Sequence, residues 1–199
     1  MRVNPAELTA LLTAISFAAG LNVYAAVGAL GLLARFHVLA LPPTLELLTS
    51  WYVIGICGVL FLVEFFADKV PAFDLVWNAL HTFVRIPIAS FLAYHATSNL
   101  PLWEQLTAAV VGGAIALAAH SGKIAARATV TPSPEPFSNS ALSLAEDAFV
   151  VFLVWFASKH PYWSAAIVAV CLLVIIVLIR WVLRAMRNLF VGAEQVVVH

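Results

Sequence analysis

The chain has 199 residues, 63% of them hydrophobic, with a mean hydropathy of +1.01. Charged residues make up 10%, against about 25% in a soluble domain, and the formal net charge is zero. Such a chain cannot cover a water-facing surface and has no basic field for nucleic acid, so a soluble enzyme and a nucleic-acid-binding protein are both excluded. The expectation is an all-α, polytopic transmembrane bundle forming one domain over residues 1–199, with about six spans and the lipid bilayer as its first partner.

The first apolar run extends from Leu8 to Phe36, too long for one simple crossing. Gly20, Leu21 and Asn22 fall near its middle and predict a broken helix there, with a re-entrant pair of half-helices as the alternative. Glu7 interrupts the start, and the apolar run continues past any small-residue cleavage point, so the segment reads as a membrane element rather than a signal peptide. Leu41-Pro42-Pro43 ends it.

The second span is predicted over Trp51–Ala67, followed by the tight connection Asp68-Lys69-Val70-Pro71. The third covers Asp74–Tyr94, with Asp74 a candidate N-cap. The fourth covers Leu102–Arg127, and a stiff Pro-rich loop over Thr129–Phe137 follows. The fifth covers Ser140–Ser158 and the sixth Tyr162–Leu183, flanked by Trp163 and Trp181 at the expected interfacial positions. Spans two and three, and spans four and five, have the character of a weak hairpin repeat over residues 50–98 and 102–158. Ridges at Ala109 and Gly113 and at Gly112 and Ala116, and a similar one at Gly20, Tyr24 and Gly28 on the first span, predict close helix approach. Cys57 and Cys171 each lie in an apolar run, which gives neither a disulfide framework nor a cysteine metal motif.

The few ionisable residues fall at helical spacing. Asp74, Asn78, His81 and Arg85 form one stripe on the third span. Asn139, Ser143 and Asp147 form another on the fifth, with Glu146 beside them. Glu64 and Asp68 share a face of the second, and His120, Lys123 and Arg127 a face of the fourth. At about 1.5 Å per residue, Glu64, His81, His120, Glu146 and Asp147 lie within roughly 12 Å of one membrane face, with Arg85 deeper at about 16 Å. A charge in hydrocarbon costs roughly 2.5–3.5 kcal/mol, so these groups are expected to converge on partners.

The expected site is therefore Glu64, His81, Arg85, His120, Glu146 and Asp147. Asp68, Lys69, Asp74, Lys123, Asn139 and Ser143 are the supporting polar groups, and Arg85 is expected to pair with an acidic neighbour. For Asp68, Lys69, Asp74, Lys123 and Arg127 the plainer expectation is snorkelling or capping at helix ends. His81, His120 and Glu146 are the candidate metal ligands, although no motif names the metal or any other cofactor.

Glu64-Phe65-Phe66-Ala67-Asp68-Lys69-Val70-Pro71, then Asp74, Trp77, His81-Thr82 and Arg85-Ile86-Pro87, resemble a bacterial inner-membrane family known only as a domain of unknown function. So do Ala119-His120-Ser121-Gly122-Lys123 and Ser133-Pro134-Glu135-Pro136-Phe137-Ser138-Asn139, followed by Ser143-Leu144-Ala145-Glu146-Asp147. The resemblance implies an integral membrane protein and carries over no catalytic residue.

An excess of carboxylates over Arg85, together with two histidines, points to transport or conduction of a small cation or proton, with that cation as the partner. The rivals are a membrane enzyme acting on a lipid or lipid-linked substrate, and a structural subunit of a membrane complex or homo-oligomer. Seven basic residues against two place both termini on the cytoplasmic side of an inner membrane.

Overall fold

The computed structural model describes residues 4–68, 71–130 and 136–197, with side chains described over 4–68, 76–127 and 140–184. Every regular element among them is helical: α1 (Pro5–Leu21), α2 (Val23–Arg35), a short 3-10 helix (Pro43–Thr49), α3 (Trp51–Ala67), α4 (Pro71–Ala96), α5 (Leu102–Val130), α6 (Pro136–Lys159) and α7 (Pro161–Val197).

The expected break in the first run is present, at Asn22, whose backbone is extended (φ −147°, ψ 104°). The Asn22 side-chain oxygen accepts from the Ala25 amide at 2.9 Å, so the breaking residue is also the N-cap of α2. The two half-helices lie inside the bundle. Residues 14–21 of α1 are all buried, and α1 packs against α4, α5, α6 and α7, while α2 packs against α3 and α6.

Small residues permit these approaches. A Cβ on Gly20 would lie 2.8 Å from the Ala116 Cα and 2.8 Å from the Ala119 Cβ, so α1 crosses α5 in near backbone contact. Gly112 would meet Ala93 Cβ at 2.8 Å and Ser16 Oγ at 2.9 Å, which seats α5 against α4 and α1 together. Gly20 and Gly28 do not form one ridge, because the break at Asn22 separates them. Gly20 faces α5 and Gly28 faces Cys57 on α3.

Three helical segments are long and apolar enough to cross a membrane: Leu102–Arg127, Ser140–Lys159 and Pro161–Arg184. The 3-10 helix and α3, bent by 61° relative to one another, form a fourth candidate span. α1 and α2 are shorter apolar helices. α4 is 26 residues long but carries the polar stripe within its length. The outer surface holds large apolar side chains such as Tyr52, Phe83, Val110 and Trp163, as a bilayer-facing surface requires.

Several boundaries differ from expectation. α4 starts at Pro71, so Asp74 lies inside the first turn and is not the N-cap. α5 continues to Val130 and α6 begins at Pro136, which shortens the Pro-rich connection; residues 131–135 of that loop lie outside the described residues, as does Lys69. The side chains of Asp74 and Asn139 also lie outside them. α7 runs on to Val197, well past the expected end at Leu183.

Candidate functional site

Four helices turn their polar stripes toward one another beside the break in α1–α2. Glu64 and Asp68 end α3, one turn apart, with relative exposures of 0% and 1%. Arg85 comes from the middle of α4 and is also fully buried, and His120, Lys123 and Arg127 descend one face of α5. Ser143, Glu146 and Asp147 come from α6.

At the inner end, Arg85 Nη2 donates to Glu64 Oε1 at 2.5 Å and Nη1 donates to His120 Nδ1 at 2.7 Å. A guanidinium only donates, so His120 Nδ1 carries no proton and the ring proton sits on Nε2. That N–H points at Thr82 Oγ1, 2.8 Å away, and Thr82 donates to the Asn78 carbonyl at 3.2 Å. His81 forms a separate link. Its Nδ1 donates to the Trp77 carbonyl at 2.7 Å, and in the neutral ring its Nε2 accepts from the Tyr24 hydroxyl of α2 at 2.9 Å.

Lys123 stands at the centre. Its Nζ lies 3.1 Å from Asp68 Oδ2, 3.4 Å from Glu64 Oε1, 3.5 Å from Glu146 Oε2 and 3.4 Å from the Leu21 carbonyl, the last residue of α1. Arg127 Nη2 closes the outer end, donating to Asp68 Oδ2 at 2.7 Å and Glu146 Oε2 at 3.1 Å. Ser143 Oγ also donates to Asp68 Oδ2, at 3.3 Å.

Asp147 is held differently. Asn22 Nδ2 donates to its Oδ1 at 2.8 Å, while Oδ2 has no hydrogen-bond partner among the described residues. Glu64, Asp68 and Glu146 each meet a cation, but Asp147 has no ion-pair partner among the described residues. Among these residues, four carboxylates face three cations, Arg85, Lys123 and Arg127, and the surplus charge belongs to Asp147.

This arrangement corrects two expectations and bears out a third. Asp68, Lys123 and Arg127 do not snorkel: exposures of 1%, 2% and 4% place them in the interior as partners of the lattice. Arg85 pairs with an acidic neighbour as expected, Glu64, and meets His120 as well. The candidate metal ligands do not converge. No group of three or more His, Cys, Asp or Glu fit to hold a metal occurs among the described residues, and the ring nitrogens of His81 and His120 are all engaged.

With the site assembled from α1 to α6, the family match can be placed on it. A model of DUF4126, a domain of unknown function, matches residues 9–181. The chain belongs to the DUF4126 family. The DUF4126 region contains every residue of the lattice, all of α2 and α1 from Thr9 onward. Neither a search of curated proteins nor one of solved structures finds a match.

Within the DUF4126 region, the polar stripes do not single out Asn22, Tyr24 or Thr82 as members of the site, and they give Arg127 only an interfacial role. Arg127 is one turn beyond Lys123 on the same face, a spacing that marks it as a further member of the stripe. Tyr24 is marked by the sequence only as a packing residue beside Gly20 and Gly28, since its hydrogen-bond partner His81 is 57 residues away.

Proposed function

We propose that this integral membrane protein moves a small cation or a proton across the bilayer through the buried lattice. The observation that carries the reading is the setting of Lys123. Its ammonium is surrounded by Glu64, Asp68 and Glu146 oxygens and by the carbonyl that ends a broken helix. Carboxylates combined with the carbonyl end of a half-helix are the chemistry with which discontinuous membrane helices coordinate cations. Lys123 acts as the protein's own cation in that position, and a transported cation or proton takes over the negative charge when Lys123 withdraws. Asp147, with its uncompensated charge beside the helix break, is the second carboxylate of the path.

The membrane is an inner membrane, and both termini are cytoplasmic. With Lys123 and Arg127 assigned to the interior, Arg2, Lys69, Arg180, Arg184 and Arg187 still outnumber Arg35 and Lys159. Labelling of a cysteine placed at Ser133 by an impermeant reagent from the periplasmic side would reverse this orientation.

Purified protein in liposomes tests the transport reading. Wild type should pass protons or a monovalent or divalent cation under an imposed potential. Glu146→Gln and Asp147→Asn should reduce that flux while thermal melting shows the fold retained. Absence of flux from wild type for all three cargo classes, at either polarity, would refute the reading.

A further inference from the structure

α2 packs against both α3 and α6, and those two helices leave a groove between them. The groove has a volume of about 570 Å³ and is lined by Phe61 and Phe65 of α3 and by Leu144, Ala148, Val151, Phe152 and Trp155 of α6. Its one ionisable lining residue is Asp147. Trp155, Phe152 and Leu144 are about half exposed on the outside of the bundle, so the groove opens sideways where lipid lies.

We propose that this groove binds a hydrophobic alkylammonium taken from the bilayer, with the ammonium on Asp147 and the chain along α6 toward Trp155. Three observations select that chemistry. Asp147 is 6% exposed, and its Oδ2 has no hydrogen-bond partner among the described residues, so a ligand that meets it must bring a donor. It also carries the surplus negative charge, so a cationic donor complements it better than a neutral one. The remaining wall is aliphatic and aromatic. Phe61, Phe65, Phe152 and Trp155 receive an apolar chain and offer ring faces to the carbons beside the nitrogen. A bare metal ion would find one carboxylate here in place of the six or more oxygens that a hard cation takes.

The separation of Asp147 and Trp155 along α6, eight residues at about 1.5 Å each, is about 12 Å. A medium-length alkyl chain fills that distance. Binding at this groove does not depend on the transport reading, since it can be measured without a gradient.

The test uses the full-length protein in nanodiscs and ω-bromodecylammonium, whose bromine quenches tryptophan fluorescence at short range. Saturable quenching is expected, and Trp155→Phe should remove most of it. Asp147→Asn should weaken the half-saturating concentration by about 10-fold or more, the loss expected of one charged hydrogen bond. The matching bromodecanol and bromodecyl sulfate should not saturate. Equal half-saturation in Asp147→Asn, or equal binding of the alcohol, would overturn the proposal and leave an apolar groove only. Should Asp147→Asn fail to fold, Ala148→Trp fills the groove without touching the carboxylate. It should abolish saturable quenching, and unchanged binding there would equally refute the assignment.

Discussion

Replacing Arg85 by leucine removes the cation from the innermost pair of the lattice. Arg85 and Glu64 both have 0% side-chain exposure and meet at 2.5 Å. At an effective dielectric of about 20, their Coulomb attraction is roughly 6–7 kcal/mol. Much of that is offset by the desolvation that folding imposed on both charges, and breaking a buried pair by deleting one member costs about 3–5 kcal/mol. Lys123 still reaches Glu64 Oε1 at 3.4 Å, so the loss should fall near the lower end, about 3 kcal/mol. His120 Nδ1 loses its donor in the same variant. Deleting both charges, in Glu64→Leu with Arg85→Leu, should recover at least about 1 kcal/mol relative to the sum of the single changes, because no stranded carboxylate remains. Equilibrium SDS titration of the purified protein, followed by far-UV circular dichroism, measures all four corners of the cycle. A wild-type-like Arg85→Leu, or a double variant whose cost equals the sum of the singles, would refute the reasoning.

Two further changes probe the elements around the lattice. Gly20→Ala puts a Cβ into the α5 backbone and should cost about 1–3 kcal/mol, whereas Gly55→Ala, with nothing within 4 Å, should stay within about 1 kcal/mol of wild type; the same SDS titration compares them. Asn22→Ala removes both the cap to Ala25 and the donor to Asp147, for a combined loss of about 2–4 kcal/mol. Asn22→Ser keeps a cap but is too short to serve Asp147, so it should fall between Asn22→Ala and wild type, and equal melting temperatures for Asn22→Ser and wild type would show that the Asp147 contact contributes nothing.

The stripes were legible because helical periodicity depends only on local geometry. Glu64 with Asp68, and His120 with Lys123 and Arg127, each share a buried face as their spacing requires. The break was legible too, since Gly20 and Asn22 interrupt an apolar run longer than one crossing. Periodicity gives the face of a helix and not the neighbour opposite it. Counting residues from helix ends therefore made Lys123 and Arg127 look like interfacial groups. Their burial comes from contacts over 55 residues or more, with Asp68 on α3 and Leu21 on α1, which no local pattern encodes. The supposed ridge from Gly20 to Gly28 failed for a related reason: a broken helix does not keep its face across the break. Asp74 was misread as a cap because Pro71, a favoured first-turn residue, already starts α4.

The break and the lattice are one structural unit. Interrupting a helix frees carbonyls at its C-terminal end, and in hydrocarbon they need donors. Lys123 supplies one to the Leu21 carbonyl while bonding Asp68, and Asn22 supplies the first bond of α2 while holding Asp147. A charge change on Asp147 therefore acts on the residue that starts α2, and a shift of Lys123 acts on the residue that ends α1. Tyr24, half a turn into α2, carries the same coupling to His81 on α4. Displacing α1 from α5 breaks the Lys123 bond to Leu21, and displacing α2 from α6 breaks the Asn22 bond to Asp147, so the charged lattice holds the geometry of α1–α2 on both sides of the break.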